Sequence, residues 1–120
     1  MMKTVFGQSH VPLSPAVRAG DFVYVSGQVP VRDGQVVAGD VSVQTRVVMD
    51  NIAAALKLAG CDLSDVVKTF VILTDRKDFG AFNAVYATFF PSAPPARTTV
   101  EAGLMIDITI EIEAIAYKPL

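Results

Sequence analysis

Near its C-terminal end the 120-residue chain carries PPARTTVEAGLMIDITIEIEAIAY (residues 94–117). Arg97 opens one predicted strand, and two carboxylates, Glu111 and Glu113, alternate through the next. A guanidinium stays charged and presents parallel N–H donors that match a planar carboxylate. A glutamate can hold a water or move a proton. Within residues 108–117 the even positions are Ile108, Ile110, Ile112, Ala114 and Ala116. The odd positions are Thr109, Glu111, Glu113, Ile115 and Tyr117. A period of two puts them on opposite faces of a strand, one wholly apolar and one starting polar. On pattern alone a solvated strand face accounts for both glutamates, and a rim charge accounts for Arg97.

Other reactive residue types are few. His10 sits in an irregular segment beside Pro12 and Pro15 and reads as a solvated loop residue. Cys61 follows Gly60 with Asp62 and Ser64 nearby and no neighbouring cation to lower its pKa, so it reads as structural. Ser26 precedes Gly27 without a G-x-S-x-G elbow, and the lone histidine is distant in sequence, against a hydrolase triad. One histidine and one cysteine make a zinc site and a disulfide framework improbable, and glycine-rich phosphate loops are absent. Ten basic residues scatter against twelve acidic ones, for a net charge of -2, which leaves no basic footprint for nucleic acid. No run of 18 apolar residues and no signal-like N-terminus occurs, so no membrane partner is expected and the cytoplasm is the default location.

The elements that must position these residues read as a single domain over residues 1–120. Phe22–Val25 reads as a strand that bends at Ser26-Gly27 and continues past Gln28. Asp33-Gly34 is a hairpin turn, with Val36-Val37 as the return strand. From Ser42 to Ala59 the period lengthens: Val48, Ile52, Ala55, Leu56 and Ala59 form one helical stripe, capped by Asp40 or Ser42 and closed by Gly60. Asp65–Asp75 is β-branched and aromatic, a buried strand. Asp75 or Asp78 caps a second helix whose apolar side is Phe79, Phe82, Tyr86 and Phe89, ended by Pro91. The stiff PSAPPA segment delivers Arg97 to a strand over residues 97–102. A short turn containing Gly103 joins it to the last strand, residues 108–117. The order ββαβαββ predicts an α+β domain, a mixed sheet with two helices on one face. An apolar content of 52% is high for this size and points to an oligomer interface.

Three segments together, AGDFVYVSGQVPV, VVKTFVILTDRKDFGAFNAVYATFF and the quoted C-terminal stretch, resemble the Rid family, the RidA-like reactive intermediate deaminases also labelled endoribonuclease L-PSP. The similarity runs from about Gly20 to Tyr117, and P-A-R-T followed by I-E-I-E-A-I-A is its most specific part. The resemblance implies a chorismate-mutase-like α+β fold and a homotrimer with ligand clefts between subunits. The activity implied is hydrolysis of enamines and imines such as 2-aminoacrylate to a 2-keto acid and ammonia, with no metal or organic cofactor. It places a carboxylate-binding role on Arg97 and a water-activating role on Glu111, with Ser26, Asn83 and Thr99 beside the substrate. Thr99 stands where many relatives have a cysteine, so thiol chemistry is excluded there. Ala16 stands at the equivalent of an aromatic cleft residue, and the segment between Gly103 and Ile110 is about one residue short, so the pocket is expected to be enlarged or reshaped. A non-catalytic binder of small carboxylates, and a deaminase of a larger unsaturated acid such as 2-aminomuconate, stay open as alternatives. The ribonuclease suggested by the L-PSP label is disfavoured by the acidic charge.

Overall fold

The computed structural model describes residues 2–120. Eight strands and two helices follow in order: β1 (Thr4–Phe6), β2 (Ala16–Ala19), β3 (Phe22–Gln28), β4 (Val31–Arg32), β5 (Gln35–Val36), α1 (Val41–Leu58), β6 (Val66–Leu73), α2 (Phe79–Phe89), β7 (Ala96–Glu101) and β8 (Ile110–Tyr117). Six strands form a mixed sheet in the order β1-β2-β3-β8-β6-β7, antiparallel except for the parallel β6–β7 pair. Both helices cover one face, as the order of elements predicts.

The core forms where that face meets α1. Ile110, Ile112 and Ala116 of β8 are fully buried, as are Val23 of β3 and Val71 of β6. Against them pack Val48, Met49, Ile52 and Leu56 of α1 and Phe82 of α2. Asp40 caps α1 by accepting from the Val43 N–H at 3.1 Å, and Gly60 takes the left-handed conformation just past its end, φ 77°. Asp75 caps a single 3-10 turn, Arg76–Asp78, that leads into α2; Asp78 makes no side-chain cap.

Three expectations need correction. An N-terminal hairpin, β1–β2, adds two strands before β3, so the chain has more strands than ββαβαββ. The return strand after Asp33-Gly34 is real at Val36, but it pairs with Val31 in a separate two-stranded ribbon and does not join the main sheet. Asp33 (φ 53°) and Gly34 (φ 77°) supply the two left-handed residues that such a tight turn needs. Finally, β7 and β8 are not hairpin partners, because β6 lies between them and residues 102–109 carry the chain past its end. Two hydrogen bonds hold that crossing: Ala102 N–H donates to Leu73 O and Thr74 N–H to Thr109 O, both at 3.0 Å.

Candidate active site

Arg97 sits on the edge strand β7 opposite Thr69 of β6. Thr69 is buried on the helix-covered face, its hydroxyl 2.7 Å from the Tyr86 hydroxyl of α2. The register therefore turns Arg97 toward α2. Its guanidinium carbon lies 5.0 Å from the Tyr86 ring centre, 5.1 Å from Phe82 and 5.6 Å from Phe79. Each such contact with a ring face contributes about 0.5–1 kcal/mol at a partly exposed site. Among the described residues, no hydrogen bond or ion pair occupies the guanidinium, whereas Arg32, Arg76 and Lys118 each pair with a carboxylate. A pocket of about 490 Å³ opens over Arg97, walled by Asn83, Tyr86, Phe90, Pro94 and Pro95. The stiff PSAPPA segment thus forms one wall of the space that Arg97 faces. Burial pushes the Tyr86 phenol up from its ordinary value, and the Thr69 hydrogen bond and nearby Arg97 pull it back.

Thr99, two residues along β7, faces the same way against Val71. Its hydroxyl is buried without a hydrogen-bond partner. It borders a second, smaller pocket of about 280 Å³ with Leu73, Phe79 and the Arg76–Glu101 ion pair.

Glu111 is elsewhere. Ile110 and Ile112, its neighbours on β8, point into the core, so alternation turns Glu111 to the face without helices. There it lies against Gly27 of β3: a Cβ built on Gly27 would overlap Glu111 Oε2 outright and lie 3.0 Å from Cδ. The pairing of β3 with β8 is irregular between Val25 and Gln28, and the bulge brings the glycine to this spot. Burial, and secondarily the Glu113 charge, raises the Glu111 carboxyl above the ordinary carboxylate range. Ser26 adjoins Gly27, but its hydroxyl already donates to Ser14 O at 2.6 Å, leaving it free only to accept.

The named residues therefore fall into two groups within one chain. Arg97, Asn83 and Thr99 lie on the helix face of the sheet, and Glu111 with Ser26 lies on the other side. Ala16 follows Ser14 and Pro15, whose carbonyls accept from Ser26. It is fully buried in the core of the single chain and paired with Val25. His10 is exposed, and burial pushes the Cys61 thiol up, away from reactivity. Two contributors were hidden in the sequence. Phe79, Phe82 and Tyr86 have the i, i+3, i+7 spacing of a core stripe, yet their rings also carry Arg97. Gly27, beside Ser26, is the seat of Glu111.

A mixed sheet backed by two helices, with an arginine held on aromatic rings and a glutamate seated on a strand glycine, defines a class of small α+β domains. The Endoribonuclease L-PSP family model matches residues 7–118, and the chain belongs to that family, whose members include the Rid and RutC proteins. A RutC family protein of Pyrococcus horikoshii is 48% identical over 110 residues, covering 89% of this chain and 87% of the relative. The 2-iminobutanoate/2-iminopropanoate deaminase of Mus musculus is 43% identical, covering 89% and 82%. The crystal structure of E. coli TdcF with bound serine superposes with a TM-score of 0.90 at 33% identity, covering 96% of this chain and 98% of that one.

Proposed function

We propose that this protein is a hydrolytic deaminase of reactive enamine and imine carboxylic acids of the 2-aminoacrylate type, acting at a site completed between copies of the chain. The observation that carries the reading is Arg97, held on three rings and facing a pocket with no internal carboxylate to neutralise it. Such a group suits a substrate carboxylate, which it can grip with two parallel hydrogen bonds. The mouse relative's name and the serine bound to TdcF support a small amino-acid-like ligand.

Arg97 and Glu111 face opposite sides of one sheet, so a small molecule reaches both only if a second copy supplies one of them. The helix-free face supports such an assembly. Phe22, Tyr24 and Tyr117 are 40%, 46% and 44% exposed there, with the Phe22 and Tyr117 rings 5.1 Å apart. A homotrimer is the arrangement we propose.

In this reading the enamine first takes a proton at its methylene carbon and gives one up from nitrogen, becoming the imine. Water then attacks the imine carbon while Glu111 takes a proton from it, and the C=N π pair moves to nitrogen, which is protonated. The resulting carbinolamine loses a proton from its hydroxyl as the C–N bond breaks, giving the 2-keto acid and ammonia. Glu111, raised above the usual carboxylate range, is suited to pass that proton between oxygen and nitrogen. A second reading, a binder of small carboxylates without turnover, is favoured by the serine bound to the relative.

The test is 2-aminoacrylate generated in situ by a pyridoxal-phosphate lyase, with ammonia and keto acid followed against the spontaneous rate. The deaminase reading predicts acceleration proportional to protein concentration. A rate equal to buffer, with a 2-keto acid still binding, would leave only the binder.

A further inference from the structure

Gln44 is a polar residue in the core, 4% exposed, on the sheet-facing side of α1. Both ends of its amide are engaged. Oε1 accepts from the Thr109 N–H at 2.8 Å and from the Thr109 hydroxyl at 2.6 Å, while Nε2 donates to Val37 O at 2.9 Å. Thr109 O in turn accepts from Thr74 N–H at 3.0 Å. Every polar group of Thr109 is therefore tied down, immediately before β8 begins at Ile110. The chain leading to it is irregular by contrast: Met105 is 94% exposed, and residues 102–109 contain no strand or helix. Glu111 follows Thr109 by two residues and is the second residue of β8, so the point at which that strand starts sets where it stands.

We infer that Gln44 is a positioning residue for Glu111, its buried amide fixing through Thr109 where β8 starts and hence where the carboxylate sits against Gly27. For catalysis this inference rests on the deaminase reading, since it explains how the acid–base group is held. A misplacement of about 1 Å at such a group can cost a hundredfold in rate. Substrate binding at Arg97, on the edge strand β7, should not depend on it.

Four variants test this with two readouts. Gln44→Met removes all three hydrogen bonds at similar volume. Thr109→Val removes one, and is the milder change should Gln44→Met fail to fold. Thr109→Ser keeps all of Thr109's polar groups. Asn51→Ala, on the same helix, instead releases the ribbon from its bonds to Val29 O and Val31 O. Gln44→Met should lower kcat at least about tenfold with KM within about threefold, Thr109→Val less. Thr109→Ser and Asn51→Ala should stay near wild type. In parallel, carbon-detected NMR titration of the Glu111 carboxyl should show its midpoint falling toward the ordinary carboxylate value in Gln44→Met, or in Thr109→Val if only that folds. An unchanged midpoint overturns the inference even if the wild type proves not to turn over imines, an outcome that would sink only the deaminase reading. Wild-type kcat in Gln44→Met, or an equal loss in Asn51→Ala, overturns it as well.

Discussion

The Arg97 guanidinium lies 5.0–5.6 Å from three ring centres, which hold it in place without neutralising it. Truncating a charged group that pairs with a ligand charge costs about 2–5 kcal/mol. Arg97→Ala should therefore lower kcat/KM for carboxylated imines by roughly 30-fold or more, with little effect on imines lacking the carboxylate. Arg97→Lys should rescue little, since an ammonium offers a point charge in place of a planar fork. A loss within about threefold in Arg97→Ala would make the arginine a structural charge. Glu111 yields a prediction about stability as well as rate. A carboxyl whose folded pKa is raised binds its proton more tightly in the folded chain. Its contribution is then fully present below the ordinary carboxylate pKa and is lost as pH rises through the raised value. Glu111→Gln should consequently melt above the wild type at neutral pH, the two converging as pH falls into the carboxylate range, while losing most turnover because an amide cannot take the proton. Equal melting at neutral pH would mean that burial does not strain this carboxyl.

Elements decide which of these side chains meet. Gly27 has no left-handed torsion to require glycine, so Gly27→Ala is permitted by the backbone and its cost falls on Glu111, which must move. We expect folding to persist and kcat to drop about tenfold or more, with KM little changed; wild-type kcat would show that the carboxylate can shift freely. Much of this architecture was legible from local pattern. The period of two placed the glutamates opposite the isoleucines, and the change of period at Ser42 marked α1. The hairpin β1–β2 was not legible, because Thr4–Phe6 and Ala16–Ala19 are short, separated by Pro12 and Pro15, and become strands only by pairing with each other and, for β2, with β3. The facing of Arg97 was hidden for a similar reason. It depends on the parallel register that sets Arg97 beside Thr69, a contact 28 residues apart that no local spacing encodes. Gln44 looked like an ordinary helix residue, since its partners lie 7 and 65 positions away.

At the scale of the whole molecule, the sheet divides the proposed machinery, with Arg97 on one side and Glu111 on the other. Among the described residues no helix is long and apolar enough to cross a membrane. The proposed trimer would cover the exposed aromatic residues Phe22, Tyr24 and Tyr117 of the open face. In a symmetric ring each cleft would then draw its arginine from one subunit and its glutamate from the next. Subunit mixing tests this most directly. Arg97→Ala and Glu111→Gln proteins, each inactive alone, are unfolded together in equal amounts, refolded, and assayed for imine hydrolysis. Random co-assembly gives about a quarter of the clefts both intact groups, so activity should return to about a quarter of wild type. No recovery in a mixture shown by mass spectrometry to contain both chains in one assembly would contradict a site shared between subunits.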